Sequence, residues 1–225
     1  MTMTTEAKRV NIGLAGTGTV TIDLGNGSRK KTMKLSTYFC IFSHTYKNTA
    51  SHIITVSGDN IIGLNCDFHK ITNLDVSKNT ALKQLSCEMN KITYLDVSNN
   101  TELKVLNCEY NQLTSLDVSK NTALKYLFCS SNQLTSLDIS KNTALKTLHC
   151  SSNNLTSLDI SNNTALKRFD CHDNNITNLD VSKDTTFTDF DCSDGNIGFS
   201  VNIIKIDYQD IYTDIEDEES IIIKQ

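Results

Sequence analysis

The stretch Leu82–Glu102, LKQLSCEMNKITYLDVSNNTE, decides the fold, because its frame returns every 21 residues. Near-complete copies begin at Leu103, Leu124, Leu145 and Leu166, a weaker one at Phe187, and a partial one precedes at Ile61. Cysteines mark the period: Cys66, Cys87, Cys108, Cys129, Cys150, Cys171 and Cys192 are evenly spaced, and only Cys40 stands off the ladder. Leu82, Leu85, Cys87, Asn90 and Ile92 supply the frame once, and Leu124, Leu127, Cys129, Asn132 and Leu134 supply it again. One such unit cannot bury its apolar residues alone, whereas stacked units share a continuous core. From Gln84 to Glu88 polar and apolar residues alternate, which is the period of a β-strand. Leu85 and Cys87 are therefore expected to point inward, and Gln84, Ser86 and Glu88 outward. Stacked copies form a parallel sheet with strands about 4.8 Å apart. The second half of a unit, LTSLDVSKNTA at 113–123, turns Leu116 and Val118 to the core. Ser119 to Asn121 offer turn chemistry, and Thr122 can cap a single helical turn through Ala123 and Leu124. So short a unit leaves too little chain for a full helix, so extended or 3₁₀ segments and a shallow arc are expected there.

The frame L-x-x-L-x-C-x-x-N-x-L resembles the leucine-rich-repeat pattern with cysteine at its third apolar position. The expected fold class is an α/β solenoid, mostly β: a right-handed superhelix with a parallel concave sheet over residues 59–197 and a small N-terminal β cap domain. The cysteine ladder is similar to the cysteine-type repeats of internalin-family bacterial surface adhesins. The phrase LTSLDVSKNTALK, 113–125, also resembles repeats in surface or secreted proteins of gut-dwelling Gram-negative bacteria. These resemblances imply an exported bacterial protein, extracellular or at the cell surface, that attaches to a host or microbial protein, a mucin or a polysaccharide.

The ladders themselves read as structure. A buried free cysteine behaves as a small hydrophobe. In-register parallel strands are expected to hold neighbouring cysteines beyond the reach of an unstrained disulfide, and a line of thiols does not place four zinc ligands around a point. Asn90, Asn111, Asn132, Asn153 and Asn174 fall where the chain leaves the strand, where a buried amide can bond orphaned backbone groups of its own and the next unit. His69 and Gly195 replace this asparagine in the outer copies. Asp75, Asp96, Asp117, Asp138, Asp159 and Asp180 form a further line that is expected to serve turns. A calcium line is the alternative, although the glycine-rich spacing of calcium solenoids is absent. Lys83, Lys104, Lys125, Lys146 and Lys167 read as a solubilising edge, with attraction of sulfated or acidic glycans as the alternative.

Residues 1–58 carry no repeat and read as a capping β-rich domain of short strands: RVNIGLAG, TVTIDLGNG, KTMKLSTYF and HIITVSG. Gly25-Asn26-Gly27 signals a turn between two of them. GTVTIDLGNGS, followed by FSHTY at Phe42 to Tyr46, resembles the polycystic-kidney-disease-type β-domain, with Leu24 and Asn26 where that family has Trp and Asp. The expected task of this segment is to cover the open first edge of the solenoid. Residues 198–225, with an edge-strand-like VNIIKIDY and the charge run IEDEES, are expected to cap the other end.

Repeats fix their inward positions and leave outward positions free to vary, so function is sought in the variation. Tyr126 and Phe128 share one strand and are expected to face solvent, beside His149, with Tyr110 near the strand end. Exposed aromatics next to His and Arg are typical of binding surfaces. The ligand-binding candidates on the concave face are Tyr110, Tyr126, Phe128, His149, Arg168 and His172. Asp170, Asp189, Asp191 and Asp194 gather near His172; solvation is the simpler reading, and a cation or a basic partner the alternative. No metal site and no cofactor are assigned.

Across 225 residues the formal net charge is −5, which argues against general nucleic-acid binding. No 18-residue apolar run spans a membrane, and MTMTTEAKRV has no signal-peptide pattern. The motifs of hydrolases, nucleotide binders and zinc proteases are absent. The expectation is a non-enzymatic, monomeric binding or adhesion module. A spacer that displays the N-terminal β-domain is the alternative.

Overall fold

The computed structural model describes residues 1–177, 179, 181 and 187–192. The expected C-terminal cap at 198–225, together with Asp180, Asp194 and Gly195, lies outside the described residues. Among those described there are fourteen strands and no helix. Eight belong to the first third of the chain: β1 (Thr2–Thr5), β2 (Arg9–Gly16), β3 (Thr19–Asp23), β4 (Lys31–Lys34), β5 (Cys40–Thr45), β6 (His52–Ser57), β7 (Ile61–Asn65) and β8 (Ile71–Asp75). The rest are one short strand per repeat: β9 (Gln84–Ser86), β10 (Val105–Asn107), β11 (Tyr126–Phe128), β12 (Thr147–His149), β13 (Arg168–Asp170) and β14 (Asp189–Asp191).

The repeat strands stack in parallel and in register, as their spacing requires. Leu85, Leu106, Leu127 and Leu148 follow one another as in-register neighbours, and Leu64 joins them from β7. These leucines and Cys66 to Cys171 are buried in one continuous core with Leu116, Val118 and their equivalents. Ladder thiols also donate to the next rung: Cys66 Sγ lies 3.4 Å from the Ser86 carbonyl, and Cys108 Sγ 3.5 Å from that of Phe128.

Two expectations are corrected by the structure. No helical turn forms at Thr122. Instead the Asn121 N–H donates to the Val118 carbonyl at 3.0 Å, and the Leu124 N–H to the Asn121 carbonyl at 3.0 Å. The reason is Asn121 itself, whose buried Nδ2 donates to Val97 O and Asn100 O of the previous rung at 3.0 and 2.9 Å. Asn100, Asn142 and Asn163 do the same, a second amide ladder along the opposite turn. Secondly, Cys171 and Cys192 form a disulfide. Adjacent rungs place their Cα atoms 4.7 Å apart, inside the range that a disulfide spans.

The N-terminal strands are built into the solenoid. β2 runs antiparallel along β7, with Leu14 opposite Leu64, and β5 continues the same nine-stranded sheet. β1 pairs with β8 inside a second, five-stranded sheet. The edge of β7 is thus occupied, and Val10, Ile12 and Leu14 enter the same core as the repeats. The hairpin signal at Gly25-Asn26-Gly27 lies between the paired β3 and β4, with Gly25 at φ 65° and Gly27 at φ 74°. A side chain at Gly25 would meet the Ile53 carbonyl oxygen at 2.3 Å. His69, where an asparagine is missing, bonds β2 instead: its Nε2 accepts from the Asn11 N–H at 2.7 Å.

The first asparagine ladder bears directly on stability. Asn111 Nδ2 donates to the carbonyls of Cys87, Cys108 and Glu109 at 2.9, 3.1 and 3.1 Å, and its Oδ1 accepts from Ile92 N at 3.0 Å. Removing the amide strands these buried groups, so Asn111→Ala is expected to cost about 3 kcal/mol in urea denaturation. The exposed neighbour, Gln112→Ala, is expected to change stability by no more than about 0.5 kcal/mol.

Candidate functional site

The face of the parallel sheet turned away from the core is organised as columns. One runs Gln84, Val105, Tyr126, Thr147, Arg168 and Asp189; the next runs Ser86, Asn107, Phe128, His149, Asp170 and Asp191. Just past the strand ends comes a third column: Asp67, Glu88, Glu109, Ser130, Ser151 and His172. Residues that are distant in sequence therefore stand side by side.

Tyr126 and Phe128 occupy this face as expected, yet they do not stand free in solvent. Tyr126 is 7% exposed and Phe128 8%, and they close a small apolar cluster with Val105. His149, at 7%, packs edge-on against Phe128 with ring centroids 5.1 Å apart. The cause is register. Side chains one strand apart lie about 5 Å from each other and cover one another's flanks, which single-strand alternation does not reveal. Burial lowers the pKa of His149 against the opposing pull of Asp170, so this ring favours its neutral form.

Three exposed apolar side chains line up at the rim. Phe68, Met89 and Tyr110 are 58%, 47% and 52% exposed. They hold the same position on three consecutive rungs, each with positive φ (65°, 48° and 52°) directly after the acidic column. Their backbones are locked to the next rung, Phe68 N to Glu88 O at 3.0 Å and Met89 N to Glu109 O at 3.1 Å. Only Tyr110 is among the residues singled out from sequence. Phe68 and Met89 share its offset in the repeat, and that alignment is the signal that finds them. Over the adjoining strands β2 and β7, Phe39 covers Gly13 and Gly63: a Cβ on Gly63 would lie 2.9 Å from its ring. Tyr38 and Ile41 beside it are also exposed.

The acidic column is perturbed by its setting. Asp67 accepts from Ser86 Oγ at 2.7 Å, Glu88 N at 2.7 Å and Asn65 Nδ2 at 2.9 Å, but burial prevails and pushes its pKa up to about 6. Burial likewise pushes Glu109 up to about 7, despite help from Ser130. Further along, Arg168 is the in-register neighbour of Asp189. His172 Nδ1 meets Asp170 Oδ1 at 2.5 Å and its Nε2 lies 3.7 Å from Asp173 Oδ2. Burial of His172 works against its charged form, but the hydrogen bond and charge of Asp170 outweigh it and raise the pKa. The sheet therefore brings Tyr126, Phe128, His149, Arg168 and His172 onto one face and leaves Tyr110 on its rim. The aspartates on the far side of the coil serve turns: Asp96 Oδ1 accepts from Ser98 N at 2.9 Å, and Asp117 Oδ1 from Ser119 N at 2.9 Å.

This geometry has counterparts among known proteins. A family model described as Leucine Rich repeats (2 copies) matches residues 101–142. Among solved structures, the functional domain of InlJ from Listeria monocytogenes, described as including a cysteine ladder, is similar at 35% identity, with 59% of this chain and 39% of that one covered and a TM-score of 0.39. A Leptospira interrogans LRR protein is similar at 28% identity, with coverage of 45% and 28% and a TM-score of 0.43. Internalin C2 from Listeria monocytogenes str. 4b F2365 superposes with a TM-score of 0.60 at 21% identity, over 63% of this chain and 66% of that one. The chain thus spans 39% and 28% of the length of the first two. No curated protein sequence matches it. The chain carries leucine-rich repeats and has the mostly-β, internalin-like solenoid fold; no catalytic family is indicated. No helix among the described residues is long and apolar enough to cross a membrane.

Glu109 makes the electrostatics of the open face measurable. Its folded pKa, about 7, lies above the ordinary value of 4.5, so the folded state binds an extra proton between these values. Its carboxylate weakens the fold above pH 7, and that penalty fades as pH falls toward 4.5. Glu109→Gln is expected to raise unfolding free energy at pH 8 by about 2 kcal/mol and to have no such effect at pH 4.5, measured by denaturation at each pH.

Proposed function

We propose that the chain is a non-enzymatic ligand-binding module that attaches to a protein partner through the open sheet face and its rim. The observation that carries this reading is the exposed run of Phe68, Met89 and Tyr110 on consecutive rungs. Large apolar side chains held at one offset by a locked backbone form a rigid patch, and contiguous exposed apolar surface marks interaction sites. Rigid anchors lose little conformational freedom on binding, so more of the contact energy appears as affinity. The column of Asp67, Glu88 and Glu109 beside them favours a partner that brings basic groups to the rim of the contact. Tyr126, Phe128 and His149 act as the packed floor of this surface, with Arg168 and His172 at its far end.

The setting that best fits a leucine-rich solenoid of this kind is extracellular or at a bacterial cell surface, with the chain acting as an adhesion module for a host or microbial protein or a polysaccharide. The N-terminal strands form its cap, and the chain acts as a monomer. A spacer that displays the cap is the second reading, favoured by the exposed Tyr38 and Ile41 at the cap's own end of the sheet.

Purified protein would be screened against extracellular-matrix proteins, mucins and a polysaccharide panel, beside a Met89→Ser/Tyr110→Ser variant. Both positions are exposed, so the variant keeps the fold. A protein hit weakened at least tenfold, about 1.4 kcal/mol, supports the rim as the contact. A hit that is unaffected, but lost in Tyr38→Ser/Ile41→Ser, transfers the contact to the cap and supports the spacer.

A further inference from the structure

We propose that Asp170, His172 and Asp191 bind one divalent transition-metal cation of the Zn²⁺ class at the C-terminal end of the open sheet face. Their side chains offer one nitrogen and two carboxylate oxygens whose ligand atoms all lie within 4.8 Å of one another. Ligands about 2.1 Å from a tetrahedral metal stand about 3.4 Å apart, so small side-chain rotations close the set. Imidazole with carboxylate suits Zn²⁺, Co²⁺, Ni²⁺ or Mn²⁺ better than Ca²⁺, which takes oxygen ligands alone.

The placement of the three residues is a product of the repeat. Asp170 and Asp191 are direct neighbours on adjacent parallel strands, an arrangement that is destabilising for like charges and that a cation between them reverses. His172 lies two residues beyond Asp170, with Nδ1 2.5 Å from its carboxylate; the metal replaces the proton shared there. The Cys171–Cys192 disulfide joins the residue between Asp170 and His172 to the residue after Asp191. The two strands that supply the ligands are therefore fastened together on their inner side, which holds the outer set in place before a metal arrives.

His149 is the in-register neighbour of Asp170 and packs edge-on against Phe128, so it flanks the triad on the adjacent rung. Three protein ligands leave positions open, as in metal sites that take water or an incoming ligand.

The experiment is titration of tag-free full-length protein with Zn²⁺ by calorimetry, with Co²⁺ spectra alongside. The site predicts one Zn²⁺ per chain and visible Co²⁺ bands of a nitrogen–oxygen shell. Affinity is expected to fall at least tenfold in His172→Gln and in Asp191→Asn, with unchanged circular dichroism. Binding that survives both substitutions, an intense near-ultraviolet thiolate–Co²⁺ band that would place the metal on cysteines, or no saturable binding at all would overturn the proposal.

Discussion

Five consecutive rungs of this solenoid hang on buried asparagines, Asn90, Asn111, Asn132, Asn153 and Asn174, that each bond two rungs at once. Asn111 reaches back to Cys87 O while it also holds Cys108 O and Glu109 O, and its Oδ1 accepts from Ile92 N. A chain that leaves a strand inside a dry core exposes backbone groups that water cannot reach, and each would be costly if left bare. The side-chain amide, with two donors and an acceptor, is the smallest group that satisfies them. At the opposite turn Asn100, Asn121, Asn142 and Asn163 supply the donor half of the same solution, their Nδ2 groups holding carbonyls of the previous rung. With both turns pinned, every rung has the same length, the strands stay in register, and surface residues 21 positions apart become neighbours.

The proposed contact surface is a consequence of that register. A single rung shows one exposed residue after its acidic position; three in register show Phe68, Met89 and Tyr110 as a ridge. A single aspartate on a strand is ordinary, whereas Asp170 beside Asp191 and His172 becomes a constellation of ligand atoms. Register also closes surface: Tyr126 and Phe128 shield one another between Val105 and His149. A broad, varied face can therefore arise on a thin molecule, because the frame residues bear the stability and leave the remaining positions free to differ.

Much of this is legible in the sequence. The spacing of Leu82, Leu85, Cys87 and Asn90 announces the coil, the inward thiols and the first amide ladder. The features that stay hidden depend on neighbours or on backbone conformation. Asn121 resembles ordinary turn chemistry because nothing local shows that its amide reaches Val97 and Asn100. Alternation alone puts Tyr126 and Phe128 on the outward face, but their shielding requires the adjacent strands. Phe68 and Met89 differ in identity from Tyr110, so only their shared offset in the repeat, and the positive φ that goes with it, brings the three together. β1 is short, with weak patterning, and is defined by its pairing with β8, while β5 is placed by its pairing with β2. The disulfide between Cys171 and Cys192 is hidden because every ladder cysteine has the same 21-residue spacing, and nothing in the sequence marks which neighbouring pair is joined.

The two amide ladders set a strict rung length of 21 residues, and deletion tests that claim most directly. Removal of residues 124–144 joins Ala123 to Leu145 and takes out one whole rung, so both ladders close again across the cut. The shortened chain is expected to keep a β-rich circular dichroism spectrum and a single cooperative urea transition, with an m-value reduced in keeping with the smaller buried surface. Removal of residues 124–143, one residue fewer, throws the next rung's asparagines off both turns and is expected to abolish that transition. Like behaviour of the two deletions would contradict the claim: rung length would then be set by something other than the asparagines, and their bonds would follow from the coil rather than fix it.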